Sequence, residues 1–373
     1  MTGRWRRCTE AREASRMADL VLGIGTSHTP LLSLPADLWP AYARRDERNP
    51  ELAFPPEGLV MSYEEALHRV APEVRARYRG PEPFQAQAEA CQRALDELSG
   101  TLRGMKPDIT VIIGDDQDEW FYDDNMPALA VYWGETAPLI PRTTPGPDRA
   151  VAEAIARGYG DVRMEVPVAS RFGRFLIEHL IEHDFDVAHM RYARPSYGGS
   201  VARRYPSTNG ELDYVRETPP HEQGLPHAFS FVVKRLFDNQ PGSILPVFQN
   251  TCYLPNQPTP RRCVALGEAI ASAVTEWTEP ATVAIVASGG LSHFVVDEEL
   301  DRTLLGALER NDLAALGSIP RHRLHSAGSE TLNWVTLGGA MHRTNLKMEL
   351  LDYVPVYRTP AGTGGGWAFA RWR

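Results

Sequence analysis

Short, wholly apolar runs alternate with amphipathic stretches along most of the chain. Leu20-Val21-Leu22-Gly23-Ile24-Gly25 and Ile109–Ile113 have strand length and no polar face. Such runs fit strands buried on both sides. Further strands are predicted near 185–189, 243–248, 282–287 and 347–358. Between them, Gln85–Leu102 repeats Ala88, Cys91, Leu95, Leu98 and Leu102 at helical spacing. Further helices are predicted at about 148–158, 169–182, 227–237, 260–277, 297–309 and 328–342. The alternation predicts an α/β fold: a mostly parallel central sheet covered by helices on both faces, with loop and helical insertions.

No internal repeat or linker divides the pattern, so residues 18–373 read as one domain. Two segments are extra length. Residues 31–80 are rich in Pro, Arg and Glu and read as an insertion over one face. Residues 190–222 are irregular, which suits a lid, a binding loop or a disordered segment. Residues 134–148 read as a Pro-rich loop, and Gly364-Gly365-Gly366 as a loose tail. Residues 1–17 read as an extension or disordered tail, carrying Arg4, Arg6, Arg7, Arg12 and Arg16 but no apolar segment of a secretory signal.

Composition narrows the function. A net charge of −9 argues against nucleic acid or an anionic membrane as partner. No run of about 18 apolar residues is present, so no spanning helix is expected. The cysteines Cys8, Cys91, Cys252 and Cys263 form no CxxC pair, which suits a reducing, cytoplasmic compartment.

The candidate chemistry lies where the predicted strands end. The first runs into Thr26-Ser27-His28-Thr29-Pro30. The second runs into Asp115-Asp116-Gln117-Asp118-Glu119, and the strand near 282–287 into Ser288-Gly289-Gly290-Leu291-Ser292-His293. Gly328-Ser329-Glu330 opens a helix. In a parallel sheet these ends share one edge and can converge. Two histidines and a carboxylate, with no thiolate, suggest a divalent metal with open positions: Fe(II) first, then Mn or Zn. Plainer roles exist for each piece. His28 can cap a turn, acids after a strand are common turn formers, Gly-Gly can simply make a turn, and the macrodipole alone favours Glu330. Gly23-x-Gly25-x-x-His28 is half a dinucleotide fingerprint, but the third glycine is missing and His28 would obstruct helix packing. His179 and His183 stand four apart, a spacing that can bind metal, yet Glu178 and Glu182 beside them favour a solvated helix face.

Taken together, Gly25-Thr26-Ser27-His28-Thr29-Pro30, Gly289-Gly290-Leu291-Ser292-His293 and Ala327-Gly328-Ser329-Glu330 with Trp334 and Gly338-Gly339-Ala340-Met341 resemble the class III extradiol ring-cleavage dioxygenases. The pattern is most similar to the catalytic beta subunits of protocatechuate 4,5-dioxygenase and gallate dioxygenase, over about residues 18–358. The resemblance implies that His28 and Glu330 bind iron, that His293 is the catalytic acid/base, and that His227 is a second-sphere histidine facing substrate. One position departs from it. Where the family has a second iron-binding histidine, an ungapped count from Pro107 reaches Gln117, so the third ligand is expected to be the Gln117 oxygen, or else Asp115 or Asp116.

The implied activity is Fe(II)-dependent opening of a hydroxylated aromatic or heteroaromatic ring with O2, by a protein expected to form a homo-oligomer such as a dimer. The altered ligand supports an alternative, mono-oxygenation or rearrangement of a pyridine-type ring. A metal-free, non-catalytic subunit is the alternative of another class, and retention of His227 and His293 tells against it.

Overall fold

A computed structural model describes residues 17–49, 52–143, 148–203, 214–324 and 326–373, so the expected tail at 1–16 lies outside the described residues. A nine-stranded sheet organises the chain. Across it stand His293–Val295, Thr363–Trp372, Asp19–Thr26, Thr282–Ser288, Ile109–Gly114, Ser243–Gln249, Leu129–Tyr132 and Ala188–Met190, with Met348–Tyr357 on the other side of Thr363–Trp372. The four strands 19–26, 282–288, 109–114 and 243–249 are mutually parallel. Their flanking neighbours, 363–372 and 129–132, run antiparallel to them. The four are buried along nearly their whole length, which is why they read as unbroken apolar runs. This is the α/β architecture the sequence predicts.

One helix ties the sheet to its cover. Thr331–His342 is buried at every residue from Thr331 to Met341. It meets Pro260–Glu276 almost backbone to backbone. A Cβ on Gly339 would overlap the Val264 carbonyl, and one on Gly267 the Thr336 carbonyl. Toward the sheet, Trp334 lies over Gly25 and Met341 over Gly23. The paired glycines of the first strand therefore admit helix side chains, not a phosphate. Leu22 and Ile24 alternate with them and face the opposite layer, where Phe84–Met105 packs.

Several expectations are corrected. Gly364-Gly365-Gly366 is not a loose tail but part of Thr363–Trp372, a ten-residue strand buried throughout. Its neighbours leave no room for side chains: a Cβ on Gly364 would overlap the Val356 carbonyl, and one on Gly366 the Asp301 carboxylate. Propensity counts glycine against a strand, but packing decides here. The Pro-rich stretch 134–148 contains Thr136–Leu139, paired with Met164–Pro167. The irregular stretch 190–222 contains the ribbon Tyr197–Arg203 and Tyr214–His221. The helix expected over 227–237 is α-helical at His227–Phe231 and π-helical at Val232–Leu236. His179 is buried rather than solvated, because it shares a helix stripe with Phe172, Leu176 and Leu180. Its ring stacks on the exposed His183.

The 31–80 insertion is pinned to the last strands. Arg358 donates to both oxygens of Asp46 at 2.9 Å, and Thr363 donates to the same buried carboxylate at 2.7 Å. Among the described residues no helix is long and apolar enough to cross a membrane.

The Gly267–Gly339 contact generates a stability prediction. Gly339→Ala should lower unfolding stability by about 1–3 kcal/mol, the usual cost of forcing a methyl into a packed core. Urea denaturation checks this, and an unchanged midpoint would show that the two helices can part freely.

Candidate metal centre

The parallel strands end on one edge, and the polar residues after them converge there. Glu330 reaches the same place from the start of the buried helix. Asn333 Nδ2 and Trp334 Nε1 donate to the Ser288 and Gly289 carbonyls at 3.0 and 2.9 Å, locking the helix start to a strand end.

His28 follows the first strand and is 2 % exposed. Its Nδ1 lies 2.9 Å from Ser288 Oγ, and that hydroxyl gives its single proton to the Ala228 carbonyl at 2.6 Å. Ser288 must therefore accept from His28, so Nδ1 carries a proton and Nε2 is the nitrogen left facing the site. Tyr159 donates to the His28 carbonyl at 2.8 Å. His28 Nε2 is buried without a hydrogen-bond partner, 3.5 Å from Glu330 Oε2.

Glu330 is surrounded by donors. Its Oε2 accepts from Gly290 N at 2.6 Å. Its Oε1 accepts from Gln117 Nε2 at 2.8 Å and lies 3.2 Å from His293 Nε2. Burial alone would raise its pKa, but His293 and His28 outweigh burial and hold it well below the usual carboxylate range. His293 donates through Nδ1 to the Leu291 carbonyl at 2.9 Å. Burial works against charging this ring, and Glu330 outweighs it, so its pKa rises.

His227 opens a short helix and is held by one carboxylate. Glu119 accepts its backbone N–H at 2.9 Å and its Nδ1–H at 2.7 Å. Glu119 also pairs with Arg142, whose other nitrogen donates to the Leu225 carbonyl at 2.7 Å. Burial opposes charge on both members, yet mutual attraction wins. His227 is pushed up to about 9, chiefly against burial by Glu119, and Glu119 is pressed down to about 2 by Arg142 and His227.

With Nδ1 committed, His227 has Nε2 free to serve the site. Its ring meets that of His28 edge to face, 4.6 Å between centroids. One donor atom from each of His28, His227 and Glu330 lies within 4.8 Å of the other two. An orphaned buried nitrogen, a carboxylate-oriented imidazole and a buried carboxylate suit a divalent metal.

Gln117 also reaches the site, but through nitrogen. Its Nε2 donates to Asp115 Oδ2 at 2.9 Å as well as to Glu330. Asp115 is fully buried, with Oδ1 unpartnered, and burial followed by Glu330 raises its pKa. Asp116 is a turn former, accepting the backbone N–H groups of Glu119, Trp120 and Phe121. Sequence reasoning took Glu119 only as part of an acidic cluster, and missed Ser288, Tyr159 and Arg142. Ser288 could have been found from its place at a strand end beside Gly289. Tyr159 and Arg142 carry no local signal, since only the fold brings them in.

Residues 72–364 match the family model of the catalytic LigB subunit of aromatic ring-opening dioxygenase. The chain belongs to the LigB family. LigB members are ring-opening dioxygenases. The chain is 27 % identical over 165 residues to a gallate dioxygenase of Pseudomonas putida, covering 39 % of this chain and 45 % of that protein. It is 24 % identical over 204 residues to a 2,3-dihydroxyphenylpropionate/2,3-dihydroxicinnamic acid 1,2-dioxygenase of Comamonas testosteroni, covering 55 % of this chain and 49 % of the relative. These matches span about half the length of either relative. The LigB span includes Gln117, His227, His293 and Glu330. His28 precedes it, so its membership of the site rests on geometry.

The Arg142–Glu119–His227 chain generates a pH prediction. A carboxylate whose pKa falls on folding adds stability in full above its ordinary 4.5, and that stability drains as pH drops toward about 2. Glu119→Gln should therefore be less stable than wild type at neutral pH, and the gap should narrow below pH 4.5. Urea unfolding of both proteins across this range measures it; a gap independent of pH would contradict the assignment.

Proposed function

We propose that the chain is a metal-dependent dioxygenase of the extradiol type, with Fe(II) as its metal, opening a hydroxylated aromatic or heteroaromatic ring with O2. The observation that carries this reading is His28 Nε2: buried, unpartnered and 3.5 Å from the Glu330 carboxylate, in a LigB chain. His28 and Glu330 hold the metal in this reading. Fe(II), when bound there, supplies a centre through which an electron-rich ring can pass electron density to O2, so no separate reductant is needed.

The surrounding residues have distinct tasks. The side chains of His28 and Glu330 are 3 % and 2 % exposed, whereas those of His293 and His227 are 16 % and 12 % exposed. Substrate therefore approaches from the side of His293 and His227. His293, oriented by the Leu291 carbonyl, takes a proton from a ring hydroxyl at Nε2 and returns it as the ring opens. The Ser288 and Ala228 contacts keep the His28 lone pair aimed at the site, and burial limits competing water.

Gln117, standing where the resemblance implies a histidine, favours one second reading: mono-oxygenation or rearrangement of a hydroxylated pyridine-type ring. The test uses anaerobically iron-loaded protein with a panel of catechols and hydroxypyridines, following O2 uptake and product mass with heavy-oxygen-labelled O2. Ring opening with two labelled oxygens is expected, and a single label supports the second reading. His293→Ala should retain iron and lose about 10²–10⁴-fold in turnover. Absence of O2 uptake across the panel, or unchanged turnover in that variant, would contradict the proposed roles.

A further inference from the structure

We propose that His227 completes the protein ligand set with His28 and Glu330, and that Gln117 acts as a clamp on Glu330 rather than as a ligand. This rests on the reading of the site as a metal centre. It differs from the roles that the resemblance implies for both residues.

Three observations carry it. First, the donor atoms of His28, His227 and Glu330 lie within 4.8 Å of one another, close enough to share one ion. Second, His227 is built as a metal-binding histidine is built. Glu119 takes both its backbone N–H and its Nδ1–H, which fixes the ring and leaves Nε2 as the outward nitrogen. Arg142 holds Glu119 in turn. Third, the neighbours of Gln117 fix its amide the other way round. Its NH2 lies 2.9 Å from Asp115 Oδ2 and 2.8 Å from Glu330 Oε1. Ionised carboxylates only accept hydrogen bonds. Turning the amide would set its oxygen against the Glu330 carboxylate and abandon a charge-assisted bond inside a buried site.

Asp116 is held by three backbone N–H groups. Asp115 keeps Oδ1 unpartnered, but among the described residues the donor atoms that converge are those of His28, His227 and Glu330. The chain thus keeps two imidazoles and one carboxylate, a set suited to Fe(II) with open positions, although the position reached by the ungapped count from Pro107 holds glutamine. Gln117 passes its second N–H to Asp115 and so couples the two buried acids.

Cobalt(II) is the probe, because its visible absorption reports ligand type and number independently of turnover. The full chain is titrated as wild type, His28→Ala, Glu330→Ala, His227→Gly, His227→Asn, Gln117→Ala and Gln117→Leu, each checked by circular dichroism for folding. His28→Ala, Glu330→Ala and both His227 variants should lose the wild-type bands. Free imidazole should restore them in His227→Gly. The Gln117 variants should keep the band positions and lose about 10-fold in affinity, as expected of an outer partner. If the Gln117 variants lose the bands and the His227 variants keep them, the ligand assignment is overturned while the metal centre stands. If His28→Ala and Glu330→Ala bind cobalt as wild type does, the metal centre falls and this proposal with it.

Discussion

The molecule is organised around a carboxylate that cannot be buried alone. Glu330 is 2 % exposed, and an isolated charge in such a place costs several kcal/mol. Its surroundings answer that cost with donors from separate elements. Gly290 N comes from the turn after Thr282–Ser288, the Gln117 amide from the turn after Ile109–Gly114, and His293 from the edge of the sheet. His28, from the end of the first strand, turns its Nε2 toward the same group. The charge that invites a metal is also the point at which three strand ends and one helix are held together.

Precision at that point comes from the helix that carries Glu330. Thr331–His342 has no solvent face on which to slide, since Gly339 and Gly267 bring it against Pro260–Glu276 and Trp334 seats it on Gly25. Asn333 and Trp334 then fasten its first turn to the carbonyls of Ser288 and Gly289. A site mounted on close-packed elements holds its geometry better than one mounted on loops. The same logic places His227 at a helix start with Glu119 bonded to both its backbone and its ring.

How much was legible in the chain depended on the range of the interaction. The parallel strands were readable because burial on both faces leaves unbroken apolar runs, and His28, His293 and Glu330 were readable because strand ends and helix starts mark themselves locally. The last strand was not. Gly364, Gly365 and Gly366 look like a flexible end until the Val356 carbonyl and Asp301 are seen filling the space of their side chains. His179 looked solvated because its charged neighbours masked an apolar stripe. Gln117 was singled out as a departure from the resemblance, but the direction of its amide depends on Asp115 and Glu330, and Glu330 lies far along the chain. Arg142 and Tyr159 act on the site only through tertiary contacts, and nothing beside them in sequence marks them.

If the converging residues form one divalent metal centre, as proposed, anomalous diffraction at the iron edge from crystals of the anaerobically loaded protein should show a single strong peak between His28 Nε2, Glu330 and the His227 ring, with the Gln117 nitrogen still on Glu330. A peak bonded elsewhere, or no peak between His28 and Glu330 in fully loaded protein, would contradict it.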